Sequence, residues 1–219
     1  MNINVQSLGI LASFSFASFT NAAISIYSAD FSVDGQGSTH DTSGSDPIDA
    51  SPISGANWTL SFPVPSSDGS TNEFITTGGV MRVQDWGGDG TVTSLGITIA
   101  DTGLVQIIGG ALSIGDDSFN SSTEGITWFY SINSAAPVEV VVNEASLANG
   151  NVNAGTDVGH TFVDVAVTAG DTLEVGFTVN VNGLGDGVEV SSLSVTAVPE
   201  PSTALLGSLA LLGLLRRKR

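Results

Sequence analysis

Short hydrophobic runs recur along most of the chain, and clusters of Gly, Ser, Asn and Asp separate them. Several runs alternate apolar and polar residues with a period of two, and none sustains the period of an α-helix. Because this pattern is typical of β-strands joined by turns, it predicts ten strands, at residues 24–31, 57–62, 74–83, 91–100, 104–114, 126–132, 138–143, 161–167, 173–181 and 188–196. Ser191 and Ser192 break the alternation of the last run and predict a β-bulge.

Ten short strands with turn-rich connections predict an all-β fold, a two-sheet antiparallel β-sandwich of the jelly-roll type. No repeat and no long linker divides the chain, so residues 24–197 are expected to form one domain, with 32–54 as a long loop. The sequence AGDTLEV at 169–175, the turn at 182–187 and the final strand resemble the closing strands of carbohydrate-binding jelly rolls. Many such domains carry an Asp on the last strand, where this chain has Ser191 and Ser192.

The N-terminal segment has the features of a secretion signal. Residues 8–19 form an apolar run, and the small residues Ala22 and Ala23 follow as a cleavage region. Residues 1–23 are therefore predicted to be a signal peptide that forms a helix in front of the domain.

The C-terminal segment, 198–219, has three parts in order. Pro199, Glu200 and Pro201 precede an apolar run at 204–215, and the chain closes with four basic residues, Arg216, Arg217, Lys218 and Arg219. A helix over the run would rise about 18 Å, which is short of the ~30 Å hydrocarbon core of a bilayer. It would act as a stop-transfer segment whose basic end stays in the cytoplasm.

This arrangement resembles the PEP-CTERM sorting signal, in which a Pro-Glu-Pro motif precedes a short hydrophobic helix and a basic cluster. The resemblance implies that an exosortase, a membrane protease, recognises the tail and cleaves near the motif. It also implies a Gram-negative-type host that makes extracellular polysaccharide, and an exported chain held at the inner membrane before processing.

The charge balance is strongly acidic, with 22 acidic residues against 5 basic ones and a formal net charge of −17. Four of the basic residues are in the tail, and Arg82 is the one in the body of the chain. Such a surface repels phosphates, so nucleic-acid binding is excluded as a function. The acidity suits solubility or cations that bridge carboxylates.

Candidate catalytic groups are sparse. The chain has no cysteine, and its two imidazoles are His40 and His160, which are a poor supply of ligands for zinc. No G-x-S-x-G motif supports a serine nucleophile, and no strand pattern of paired carboxylates indicates a glycosidase. We therefore expect that the protein is not an enzyme.

Three acidic segments are candidate calcium sites. Asp85, Asp89 and the glycine after them resemble the calcium loop of dockerins and EF-hands, although Gly87 and Gly96 occupy two positions where that loop needs oxygen ligands. Asp116 and Asp117 form a second acidic pair in a loop, and Asp30 and Asp34 a third. The alternative for each segment is a solvated turn. Whether calcium is a cofactor of this protein is therefore left open by the sequence.

Tryptophan rings are the candidate sugar-binding groups. Trp86 lies in a Gly-rich turn and is the candidate ligand-binding residue, whereas Trp58 and Trp128 lie in strand-like runs and are expected in the core. The leading hypothesis is a surface-anchored, non-catalytic protein associated with extracellular polysaccharide. The alternatives are a structural envelope protein without glycan affinity and a secreted hydrolase.

Overall fold

The computed structural model describes most of the predicted domain, namely residues 23–40, 49–51, 55–61, 72–85, 88–115, 119, 123–147, 152–181 and 186–198. The two predicted flanking helices lie outside these residues. The predicted domain bounds, 24–197, stay a prediction. Within the described ranges, no helix has the length and hydrophobicity needed to cross a bilayer.

The described residues form fourteen β-strands and one short 3-10 helix, at Glu144–Ser146. The strands are β1 (Ile24–Ser28), β2 (Gly37–His40), β3 (Asp49–Ser51), β4 (Trp58–Ser61), β5 (Asn72–Thr77), β6 (Val80–Gln84), β7 (Gly90–Ser94), β8 (Ile97–Thr98), β9 (Gly103–Ile114), β10 (Gly125–Ile132), β11 (Val138–Val142), β12 (His160–Val167), β13 (Thr172–Asn180) and β14 (Gly187–Ala197). The prediction of an all-β fold is confirmed.

The strands form two antiparallel sheets. Sheet A has the order β12-β9-β14-β6-β5-β2-β3, and β1 pairs with the second half of β14. Sheet B has the order β11-β10-β13-β7-β4, and β8 pairs with the start of β13. Successive strands of the last third alternate between the sheets, so the chain crosses the sandwich repeatedly, as in a jelly roll.

The two sheets pack face to face through the side chains that the alternation selects. On β9, Val105 and Ile107 are buried while Leu104 and Leu112 are exposed, which gives sheet A one inner and one outer face. Trp128 of sheet B fills the space that Gly109 leaves open in sheet A, since a Cβ at Gly109 would overlap the indole ring. The core between the sheets therefore depends on a large residue facing a residue without a side chain.

Two predicted strands are each split in two by the structure. Residues 74–83 form the hairpin of β5 and β6, because Gly78 and Gly79 adopt φ of 60° and 84° and close a two-residue turn. Residues 91–100 form β7 and β8, because the register against β13 shifts by one residue between them, where the Val175 N–H donates to the Ser94 hydroxyl at 3.0 Å. Both segments are hydrophobic on either side of the interruption, so the sequence pattern predicted one strand where the structure has two.

The prediction of a long loop at 32–54 is wrong in part, since β2 and β3 lie within it. β2 pairs with β5 and β3 pairs with β2, so backbone hydrogen bonds rather than apolar alternation specify these strands. Gly37 adopts a φ of 133°, and a Cβ there would overlap the Phe74 carbonyl oxygen. A segment rich in turn-forming residues thus extends the edge of sheet A.

The predicted bulge in β14 is confirmed, because its register against β9 shifts between Val190 and Ser192. A second bulge, in β12, lies between Phe162 and Val165 and was not predicted. There Asp164 has a φ of 55°, and Val163 is 62% exposed. Both bulges lie beside β9, where they increase the local twist of sheet A.

Candidate functional site

The outer face of sheet B is a continuous polar surface that strand pairing assembles from five strands. Its side chains are those that alternate with the buried residues of each strand. Two rows cross the sheet at right angles to the strands, and neighbouring side chains in a row are about 4.8 Å apart.

The first row consists of hydroxyl groups from four strands. Register pairs place Ser61 beside Thr91, Thr91 beside Thr178, and Thr178 beside Thr127. The Thr91 and Thr178 hydroxyl oxygens are 2.9 Å apart and share a hydrogen bond. Because each hydroxyl both donates and accepts, such a row can bond to a ligand that also carries closely spaced hydroxyls.

The second row contains the aromatic group of this face. It runs from Thr59 and Thr93 to Gly176, Phe129 and Glu139. The half-buried Phe129 ring lies against Gly176, where a Cβ would overlap it. The missing side chain lets the ring lie low on the sheet, between hydroxyl groups and next to a carboxylate.

A small polar cleft ends this face where β10 begins. Its volume is about 60 Å³, and Asp89, Glu124, Asn143 and Asn180 line it together with threonines of the first row. The Asn180 side-chain amide donates to an Asp89 carboxylate oxygen at 3.1 Å. Glu124 is buried, with 4% of its surface exposed, whereas Asp89 is exposed. The cleft has room for about two water molecules but not for a sugar ring.

The face carries acidic groups and, among the described residues, no basic one. Glu139 is the last residue of the aromatic row, Glu174 lies on β13 beside that row, and Asp89 lies at the cleft. The cation of the domain, Arg82, lies on sheet A instead, where its guanidinium contacts the Glu189 carboxylate at 2.6 Å. The outer face of sheet B therefore presents hydroxyl groups, one aromatic ring and negative charge.

The predicted calcium ligands Asp85 and Asp89 lie in different surroundings. Asp85 is buried at the end of β6, with a φ of 52°, and its N–H donates to the Asp186 carbonyl at 2.8 Å. Asp89 belongs to the cleft of sheet B. In the described part of the chain, no three acidic or imidazole side chains come together as a metal site. Asp116, Asp117 and Trp86 lie outside the described residues, so their proposed roles stay predictions.

The third acidic pair closes turns. Hydrogen bonds from the Ser32 side chain, and after it from the Ser32 N–H at 2.9 Å, lower the pKa of the Asp30 carboxyl. An Asp34 oxygen accepts the Gly78 N–H at 2.7 Å. The Asp30 carboxylate therefore stabilises its own turn, and the Asp34 carboxylate stabilises the turn between β5 and β6.

The other predicted site groups are placed as follows. Trp58 and Trp128 are both 1% exposed, which confirms them as core residues. His160 lies edge-on to Phe162, with ring centroids 4.6 Å apart, and partial burial lowers its pKa. The side chain of His40 lies outside the described part of the structure. The surroundings of an imidazole are therefore described for His160 only.

Phe129 and the hydroxyl rows were not among the site residues predicted from the sequence. The available signal was Thr at positions that alternate with buried residues, namely Thr91 and Thr93 on β7, Thr127 on β10 and Thr178 on β13. That signal shows which residues share a face of one strand, but not which strands are neighbours.

Comparison with known proteins supports the interpretation of the tail. Residues 197–219 match the PEP-CTERM protein-sorting motif. No curated protein is significantly similar to the chain.

Several solved structures have a similar course of the chain. TmCBM61, solved with β-1,4-galactotriose, has a TM-score of 0.40 at 10% identity, over 64% of this chain and 88% of that one. The K3 cleaved adhesin domain of Lys-gingipain from Porphyromonas gingivalis has a TM-score of 0.40 at 12% identity, over 79% and 99%. The xylan-binding module CBM15 has a TM-score of 0.38 at 14% identity, over 66% and 92%. Likeness at this level carries no argument about a ligand.

The sorting motif implies processing by an exosortase, and it follows the two antiparallel sheets in the chain. The chain therefore carries a PEP-CTERM sorting motif, which indicates an exported protein of a Gram-negative-type bacterium, and an all-β sandwich lies ahead of that motif.

Proposed function

We propose that the protein is a non-catalytic surface protein whose outer face of sheet B binds an extracellular polysaccharide. The observation that carries this proposal is the Phe129 ring set among rows of hydroxyl groups. In this proposal the tail holds the precursor at the inner membrane until an exosortase processes it.

The chemistry of the face suits a sugar chain. A sugar ring has an apolar face of C–H groups, which stacks on an aromatic ring, and an edge of hydroxyls, which pairs with threonine side chains. The two rows extend across four to five strands, or about 15–20 Å, so several sugar units of a linear chain would contact them together. Because the two rows lie on the surface of a sheet rather than in a deep pocket, the face suits an internal stretch of a polymer rather than a small ligand.

The charge of the face sets the class of polysaccharide. Glu139, Glu174 and Asp89 would repel uronate or sulfate groups, since like charges at short range disfavour association. The ligand is a neutral polysaccharide or one with free amino groups. The same repulsion disfavours binding of acidic matrix polymers such as alginate.

Binding without catalysis is supported by the shape of the cleft. Asp89 and Glu124 are two carboxylates in one cavity, as a glycosidase needs, but a volume of about 60 Å³ does not admit a sugar ring between them. The full chain is expected to release no reducing sugar from any polysaccharide that it binds. Release that Glu124→Gln abolishes would instead support the hydrolase alternative.

Retention of the full chain on polysaccharides tests the proposal. The panel contains a neutral β-glucan, a neutral galactan, a partly deacetylated amino-sugar polymer and alginate, each with calcium and then with chelator. We expect saturable binding to a neutral or amino polymer and none to alginate. Phe129→Ala should weaken binding at least about tenfold, or about 1.4 kcal/mol, because the stacking surface is lost.

The matched control is Leu112→Ala, which removes an exposed apolar side chain from the outer face of sheet A. This variant should bind like the unaltered chain. No retention on any polymer, or equal losses in both variants, would overturn the proposal and support a structural envelope role. Loss of binding on chelation would add a calcium site to the proposal.

A further inference from the structure

An apolar groove lies at the end of the sandwich where β1 begins and β14 ends. Its volume is about 440 Å³, and its lining contains Ile24, Ile26 and Leu104. These three side chains are 70%, 37% and 41% exposed, which is high for large aliphatic residues that lie together. Neighbouring apolar side chains exposed in this way mark a contact surface.

A second cleft adjoins this groove and includes residues at the bulge of β12. It has a volume of about 390 Å³, and Ala197 and Val198 line both cavities. Its lining includes Val163, which the bulge of β12 turns outward to 62% exposure. The two cavities together are called the apolar end. The bulge has a positive role here, because an unbroken strand would not present Val163 in this way.

The chain leaves the domain within the apolar end. The Val198 N–H donates to the Leu104 carbonyl at 2.9 Å, so the last described residue is fixed to the wall of the groove. The sorting motif, 197–219, begins at the same point. Its apolar run starts at Ala204, and six residues of extended chain reach at most about 20 Å.

We propose that the apolar end of the domain rests against the lipid bilayer while the precursor is held in the membrane by its tail. This inference rests on the membrane step of the proposed function and is independent of the polysaccharide-binding face. A tether of this length holds the apolar end close to the bilayer, where its effective concentration at the surface is high. Insertion of exposed aliphatic side chains at the interface then removes them from water.

The charges at the apolar end determine which lipids it contacts. Asp101 lines the groove and Asp164 lines the second cleft, and neither described lining contains a basic residue. Both carboxylates are exposed and would be repelled by anionic headgroups. The contact therefore requires a zwitterionic surface, and added anionic lipid is expected to weaken it.

Such a contact would fix the distance between the membrane surface and the sorting motif. Because Val198 is bonded to the groove, a domain resting on the bilayer would keep the start of the sorting motif, at Ala197 and Val198, at the membrane surface, where a membrane protease can reach it. The apolar end would thus position the cleavage site for the exosortase.

The chain offers a well-matched test on a single strand. Leu104 and Leu112 both project from the same face of β9, are 41% and 48% exposed, and lie about 27 Å apart along the strand. The chain has no cysteine, so Leu104→Cys and Leu112→Cys each give one unique labelling site. The full chain is produced with its tail in a host without exosortase and purified, and each variant is labelled with an environment-sensitive fluorophore and reconstituted into zwitterionic vesicles that contain phosphatidylethanolamine.

We expect a spin-labelled lipid to quench the fluorophore at residue 104 at least severalfold more than at 112. Quenching at 104 should fall when phosphatidylglycerol is added to a phosphatidylethanolamine membrane. Ile24→Cys provides a second position in the groove and should behave like 104, which guards against a local defect in one variant.

Equal quenching at 104 and 112, or no quenching at either, would overturn the proposal. A fluorophore at 104 that is shielded from water but not quenched by lipid would also overturn it, because the tail or another protein would then cover the groove. Phe129→Ala is expected to leave the quenching unchanged. A failure of polysaccharide binding and a failure of membrane contact are therefore distinguishable.

Discussion

At the scale of single residues, burial decides the role of each aromatic side chain. Trp58 and Trp128 each donate an indole N–H to a backbone carbonyl, of Asp30 and Val158, at 2.9 Å. Phe129 follows Trp128 in the sequence, but points to the outer face because successive residues of a strand alternate. Neighbours in the sequence therefore have opposite roles, one in the core and one on the proposed binding face.

Tyr27 gives the clearest prediction at this scale. Its ring is buried, its hydroxyl donates to the Asn57 carbonyl at 3.2 Å, and desolvation raises its pKa to about 12. Between pH 10 and about 12 the unfolded chain loses this proton while the folded chain keeps it. The stabilisation is therefore complete below pH 10, and the free energy of unfolding falls as the pH rises through that window.

The measurement is urea unfolding from neutral pH to the top of that window. Tyr27→Phe should be less stable at neutral pH by about 1 kcal/mol, since it loses the hydrogen bond, and should show a shallower alkaline decline. Parallel pH profiles for the variant and the unaltered chain would contradict the assignment.

At the scale of elements, a hydrogen-bonded corner between two loops of the sandwich fixes the start of β13. Asp171 accepts from the Asn133 side chain at 2.8 Å and from the Thr168 N–H at 2.7 Å. Asn133 in turn accepts the Thr172 N–H at 2.9 Å. The turn before a strand, predicted from the local sequence, thus also links β13 to the end of β10.

This corner predicts an acid-sensitive element. The Asn133 side chain, and after it the Thr168 N–H, lowers the pKa of Asp171. The contribution to stability is present above the usual aspartate pKa of about 3.9 and is lost as pH falls through the lower folded value. Asp171→Ala should lower the midpoint of urea unfolding and flatten its decline below about pH 4.

Asn133→Ala removes the larger cause and should reproduce part of this effect. An unchanged acid profile in both variants would show that the corner does not stabilise the fold.

At the scale of the whole molecule, charge is the dominant property. Without the tail from Glu200 onward, 21 acidic residues face the single basic residue Arg82. Self-repulsion should destabilise the folded domain at low salt. Raising the ionic strength from about 0.01 M to 0.15 M shortens the screening length from about 30 Å to 8 Å and should raise Tm.

Thermal unfolding in sodium chloride, with a non-ionic solute as the control, measures this effect. A Tm that is indifferent to salt would contradict it. At equal ionic strength, a much larger increase with calcium chloride would indicate that the predicted calcium sites bind the ion, whereas equal increases would support screening alone.

Local patterns predicted most of the strands but fewer of their boundaries. Residues 104–114 and 126–132 correspond closely to β9 and β10, because their alternation continues without a break. The hairpin at Gly78 was missed because β-rich residues flank the turn on both sides. β2 was missed because its strand conformation depends on pairing with β5, which no local pattern records.

The sequence by itself determined the sorting motif of this protein, its fold class and the bulge at Ser191 and Ser192. A sorting motif and the alternation of residues along a strand are both local properties of neighbouring residues. The tertiary structure decided the candidate sites. Thr59, Thr93 and Phe129 meet in one row only because antiparallel pairing joins strands that are far apart in the chain. The apolar end likewise exists only because pairing of β1 with β14 brings the beginning and the end of the domain together.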